Sequence, residues 1–167
     1  ITLMNENYHH PDMPEGCEEG IIEGMYKLKA AKKASVQLLG GGAILREVEA
    51  AASILETDFS IEADIWSMTS INQLRRDGLQ CERWNRLNPE QPQRKPYVTR
   101  QLENATGPVI CATDYIQSYG DQIRPFIKQS YTVLGTDGFG RSDTRAQLRK
   151  HFEVDRYFVV IATLRSL

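Results

Sequence analysis

The sequence predicts an α/β fold: a mainly parallel sheet covered by helices on both faces. Short β-branched and aromatic runs recur along the chain, and between them apolar residues repeat near every 3.6 positions. Strands that alternate with helices in this way lie side by side in one sheet, joined by crossovers. Size agrees, since 167 residues with 41% apolar and 25% charged content fit one domain able to bury a sizeable core.

Residues 24–29 alternate apolar and polar side chains, as a half-buried strand does. Glycines 16, 20 and 24 have helical spacing and allow a short helical turn before it. Residues 35–39, Ser-Val-Gln-Leu-Leu, predict a second strand, ended by Gly40, Gly41 and Gly42. A helix follows, with Ile44, Leu45, Val48, Ala51, Ala52 and Leu55 on one face. A third strand is expected over 61–68 and a second helix from Ile71 to about Cys81. Residues 83–97, dense in Asn, Pro, Gln and Arg, predict a long loop. Residues 108–112 predict a fourth strand, 115–127 a third helix and 131–134 a fifth strand. No internal repeat or second domain is visible.

The most specific stretch is 134–145, Leu-Gly-Thr-Asp-Gly-Phe-Gly-Arg-Ser-Asp-Thr-Arg. Three glycines permit backbone angles that other residues avoid, and Ser142 or Asp143 is placed to cap a helix beginning around Thr144. Arg141 and Arg145 frame Asp137 and Asp143. On the residues alone this is a strand–loop–helix connection with good turn chemistry.

Several function classes are excluded or weakened. A net charge of −2 predicts neither a nucleic-acid binder nor a membrane-surface protein, and no apolar run reaches a membrane span. Three widely spaced cysteines, Cys17, Cys81 and Cys111, argue for reduced thiols in a cytoplasmic protein. His9 and His10 lack companion ligands for a metal, and no nucleophile elbow supports a hydrolase. Gly40, Gly41 and Gly42 match neither a dinucleotide fingerprint nor a P-loop. Two readings remain for them: a tight turn that needs small residues, or an anion- or nucleotide-binding site in a stand-alone module. The stretch from Arg75 to Arg100 carries seven basic residues against three acidic. It reads as a solvated loop or as a protein-binding surface anchored by Trp84.

Residues 134–145, together with 5–20, 76–89 and 151–155 (His-Phe-Glu-Val-Asp), resemble the C-terminal domain of the homodimeric, thiamine-diphosphate-dependent pyruvate dehydrogenases. These are the decarboxylating first components of the bacterial complex, and the likeness runs over essentially the whole chain. It implies a three-layer αβα domain of the transketolase C-terminal type, with a five-stranded mixed, mostly parallel sheet. The strand at 24–29 would run against the other four. Residues 1–20 would be a linker from a preceding domain and 21–167 the domain itself.

The resemblance also implies what the chain does without. Thiamine diphosphate, magnesium and the catalytic glutamate would be held elsewhere in the parent enzyme, leaving no catalytic, cofactor-binding or metal residue here. The family's metal motif begins Gly-Asp-Gly and ends in Asn. This chain offers only Thr136-Asp137-Gly138, with no Asn after Asn104. Its role would be structural: to complete a homodimer whose acetyl acceptor is the lipoyl group of a dihydrolipoyl transacetylase. Asp137, Phe139, Arg141, Ser142, Asp143 and Arg145 would then face a neighbouring domain or subunit. Gly41 replaces a family Ser, and Asn88 a family His. The strand-like start at Ile1 and the apolar run at 157–164 read as the edges of a piece cut from a longer polypeptide.

Overall fold

A computed structural model describes residues 7, 8 and 11–167. The strand-like run at 1–4, and His9 and His10, lie outside the described residues. The sheet has five strands, β1 (Met25–Lys29), β2 (Val36–Gly41), β3 (Ala63–Met68), β4 (Val109–Ala112) and β5 (Tyr131–Leu134), in the spatial order β1-β3-β2-β4-β5. β1 is antiparallel to β3, and the remaining pairs are parallel. The sheet is mixed and mostly parallel, as the resemblance implied.

Strand periodicity sorts the core into two layers. Leu39, Trp66, Cys111 and Val133 point to one face, where they meet helices α3 (Ile71–Leu87) and α4 (Tyr97–Leu102) and the 3-10 segment Asp121–Phe126. Leu38, Ile65 and Ile110 point to the other, against α2 (Leu45–Phe59) and α7 (Arg156–Ser166). The remaining helices are the short α1 (Glu18–Glu23), α5 (Gln117–Gly120) and α6 (Arg145–His151). Each fully buried Leu or Ile in these layers contributes about 2 kcal/mol. The one large polar group inside the central strand is satisfied: Gln37 accepts from Trp66 Nε1 at 2.8 Å and donates to the Thr106 carbonyl at 3.2 Å.

The structure departs from the expected elements in four places. α3 continues to Leu87, well past Cys81, because Arg83, Trp84, Arg86 and Leu87 all sustain a helix. It stops at Asn88, whose side chain donates to the Trp84 carbonyl at 2.8 Å just before Pro89. The expected loop therefore begins at residue 88 and ends as α4 starts at Tyr97. The helix expected over 115–127 breaks into α5 and a 3-10 segment containing Pro125, which removes a backbone donor. The cap of α6 is Thr144, whose hydroxyl accepts from Gln147 N at 3.4 Å, and Asp143 instead accepts from the Thr144 N–H at 2.7 Å. The apolar run at 157–164 lies within α7, which Asp155 caps by accepting from Tyr157 N and Phe158 N.

Candidate functional site

The carboxyl ends of β2, β4 and β5 open onto one edge of the sheet. The connection leaving β2 covers one face and that leaving β4 the other, so a crevice lies between them, as at the strand-order switch of doubly wound folds. A cavity of about 290 Å³ sits there, bordered by Ala43, Asp114, Thr136, Arg145, Arg149 and Phe152.

The loop at 135–144 rises from this edge on a fixed root. Thr136 donates its hydroxyl to the Asp114 carbonyl at 2.7 Å and its N–H to the Tyr115 carbonyl at 2.8 Å. Asp137 accepts from Gln117 N at 3.0 Å, placing a carboxylate at the start of α5. A Cβ on Gly135 would lie 2.7 Å from the Tyr115 carbonyl oxygen, so the close approach needs glycine. Beyond the root, Gly138 turns the chain at φ +94°, and Phe139 to Thr144 are exposed, with Phe139 at 96%. Arg141 forms an ion pair with neither Asp137 nor Asp143. Root and tip thus divide the work: Asp137 anchors, while Phe139, Arg141 and Ser142 face outward.

The helix after the loop is held from across the fold. Glu47, only 5% exposed, accepts from Arg149 Nη1 at 3.0 Å and from Arg156 Nε at 2.9 Å and Nη2 at 3.2 Å. The Arg156 N–H adds a fourth bond at 3.2 Å. Burial pushes the Glu47 carboxyl upward, but the Arg156 hydrogen bonds and the two guanidinium charges outweigh it and hold the group below its ordinary range. Arg156 is raised in turn, chiefly by its hydrogen bond to Glu47. The local sequence carries no sign of this triad, because Arg149 and Arg156 lie 102 and 109 residues from Glu47.

The other expected residues fall elsewhere. Trp84 sits on α3, in the layer across the sheet from α2 and α7, half-buried beneath the Arg94 guanidinium at 4.1 Å from its ring. Asn85 fastens Arg94 there, donating to its carbonyl at 2.9 Å and accepting from its N–H at 2.8 Å. Gly40 and Gly41 belong to β2 rather than to an open turn. A Cβ on Gly40 would come within 2.7 Å of Leu45 Cα, so that glycine lets α2 pack closely on the strand. Gly42 has φ +57° and faces Asp114, whose Oδ1 would lie 3.4 Å from an added Cβ. A carboxylate there repels an anion from the same spot. Magnesium diphosphate requires converging oxygen donors. Among the described residues no three His, Cys, Asp or Glu converge, and Asp137 is spent on α5, so the residues here do not fit that group.

Fold and edge together define a three-layer αβα domain with an exposed loop at the carboxyl ends of its strands. Residues 24–155 match the transketolase-like TK C-terminal domain, and the chain belongs to that family. It is 58% identical over 171 residues to the pyruvate dehydrogenase E1 component of Pseudomonas aeruginosa. The corresponding protein of Escherichia coli K12 is 51% identical over 170 residues. Both alignments take in 100% of this chain and 19% of the relative, so the chain spans about a fifth of the length of these curated relatives. Among solved structures, the transketolase from Leishmania mexicana superposes with a TM-score of 0.60 at 21% identity, over 89% of this chain and 18% of that one. That likeness is one of fold.

Proposed function

We propose that this chain is the non-catalytic, C-terminal assembly domain of a pyruvate dehydrogenase that decarboxylates pyruvate and acetylates the lipoyl group of a dihydrolipoyl transacetylase. The relatives named pyruvate dehydrogenase E1 component, aligned over the whole chain, support the parent activity. The observation that carries the structural role is the loop itself: a rigid root and a tip that leaves Phe139 96% exposed beside Arg141. An exposed aromatic ring and a guanidinium with no ion pair among the described residues are the residue types that anchor interfaces. Thiamine diphosphate and magnesium then belong to the rest of the parent, as does the homodimer that this loop helps to close. A cytoplasmic setting agrees with three free cysteines.

The test uses the full-length parent enzyme carrying Phe139→Ala and Arg141→Ala together. Both side chains are exposed, so the melting temperature of the domain should hold. The dimer dissociation constant, read by sedimentation, should rise about tenfold or more, and pyruvate decarboxylation should fall in step with dimer content. A variant that sediments and turns over like the wild type removes the loop from the assembly surface.

A further inference from the structure

Tyr8 is held by two helices from distant parts of the chain. The Arg46 guanidinium of α2 lies 4.9 Å from the centre of its half-buried ring. Its hydroxyl accepts from Arg149 Nη2 of α6 at 3.4 Å, a contact 141 residues apart in sequence. A cation is drawn to the face of an aromatic ring, and a charged donor strengthens the bond to the phenol oxygen. Arg149 has a second engagement, since its Nη1 donates to Glu47 at 3.0 Å. One planar guanidinium thus uses two separate nitrogens to hold Tyr8 and Glu47 at once, which the single nitrogen of a lysine matches poorly.

Tyr8 is one fastening of the segment that leads into the sheet, and α1 supplies another. The Ile21 carbonyl accepts from Thr69 Oγ1 at 2.7 Å, just ahead of α3. Between these points Asp12, Met13, Glu15 and Gly16 are exposed, and Gly16 has φ +74° where the chain turns into α1. The segment is a strap pinned near both ends by contacts internal to this chain. The short helix α6 also rests on few contacts: none of its residues is buried, and it follows directly on the exposed loop at 135–144. Arg149 is where strap and α6 meet.

Two thinly buried elements that share one arginine stabilise each other, because ordering the first reduces the entropy lost on ordering the second. We propose that Tyr8 is a positioning residue that clasps the strap to α6 through Arg149, so that releasing either element loosens the other. The loop at 135–144 is anchored by Asp137 at its root and runs into α6 at its far end. The clasp therefore also sets how firmly α6 carries that loop. It adds a device to the assembly reading without depending on it: the clasp is read inside one protomer, whereas that reading stands or falls on the dimer dissociation constant.

Amide hydrogen exchange of α6 and glutamyl-endopeptidase cleavage after Glu15, both in the full-length parent enzyme, test it. Tyr8→Phe removes only the hydroxyl, and Arg149→Lys keeps a cation for Glu47. Each should speed exchange of the α6 amides about threefold to fivefold, as the loss of one such hydrogen bond implies. Cleavage after Glu15 should quicken by a similar factor. Amides of α7, which Arg156 ties to Glu47, should stay within about twofold of the wild type. The double variant should loosen no more than either single one, because both break the same contact. Amides of α6 that ignore Tyr8→Phe overturn the clasp, and so does a Glu15 bond indifferent to Arg149→Lys. Effects that add in the double variant, or that spread equally to α7, also overturn it, since they describe general destabilisation without coupling.

Discussion

Glu47 on α2 and Arg156 at the first turn of α7 meet through a forked pair of hydrogen bonds, 2.9 and 3.2 Å long, across 109 residues of chain. Arg149 on α6 closes on the same carboxylate at 3.0 Å. One buried acid thereby ties the helix after β2 to both helices that follow the exposed loop. Bidentate guanidinium–carboxylate geometry is specific as well as strong, so the triad fixes orientation as well as proximity.

Replacing that acid should loosen the C-terminal third of the domain in a pH-dependent way. Glu47→Gln keeps the volume but removes the charge, and at pH 7 it should cost about 2 kcal/mol, the worth of charged hydrogen bonds lost in a largely buried site. The folded carboxyl is held below its ordinary value of 4.5. Its stabilisation is therefore fully present above that value and disappears as pH falls through the folded one. Urea unfolding should show a wild-type advantage at pH 7 that closes in acid. A constant difference from pH 7 down to pH 3 would mean that packing, and not charge, holds the three helices.

Most of the layer order was readable because it rests on periodicity. The alternation of Tyr26 and Leu28 with Lys27 and Lys29 marked β1, and Val48, Ala51 and Leu55 marked the buried face of α2. Readings failed where a local pattern was polar yet structured. Arg83 to Leu87 continue a helix that no apolar repeat announces, and Gly120 with Pro125 split a segment that its apolar residues suggested was one helix. The loop at 135–144 was legible as a loop since glycines punctuate it, but its division into anchored root and exposed tip was not. Which of Asp137 and Asp143 would bind a backbone N–H of α5 depends on where Gln117 stands in space. Glu47 was invisible for the same reason. An isolated acid on an otherwise amphipathic helix resembles any surface glutamate until its distant partners are known.

Gly78 offers a test of the α3 packing. A Cβ there would lie 2.3 Å from the nearest Phe126 ring carbon, deep inside van der Waals contact. On a free helix Gly→Ala would gain about 1 kcal/mol. In this one the displaced ring should reverse the sign, for a net loss of about 1–3 kcal/mol. Thermal unfolding of Gly78→Ala, and of Gly78→Ala combined with Phe126→Leu, separates the two effects. The double variant should recover part of the loss, because the smaller side chain vacates the space that the new methyl needs. A single variant that melts above the wild type would show that α3 does not press on Phe126.

Thiol reactivity reads out the integrity of the sheet interior. Cys111 lies on β4 with its side chain fully enclosed, its Sγ 4.0 Å from Met68 Sδ. Burial pushes its pKa up to about 12. At pH 8 such a thiol is ionised in roughly one molecule in ten thousand, and its reagent must still reach the middle of the sheet. Cys81 is buried less deeply, 7% exposed, and is also raised, first by burial and then by the neighbouring Asp77 charge. Cys17 is 8% exposed. Alkylation at pH 8 followed by peptide mass analysis should therefore label Cys111 slowest of the three. Its rate should follow global unfolding as urea is added, because β2 and β5 flank β4 and helices cover both of its faces. Cys17 caps the start of α1 and Cys81 lies on α3, and both should react before the unfolding transition begins. Labelling of Cys111 at the rate of Cys81 in native buffer would mean that β4 is not enclosed between β2 and β5.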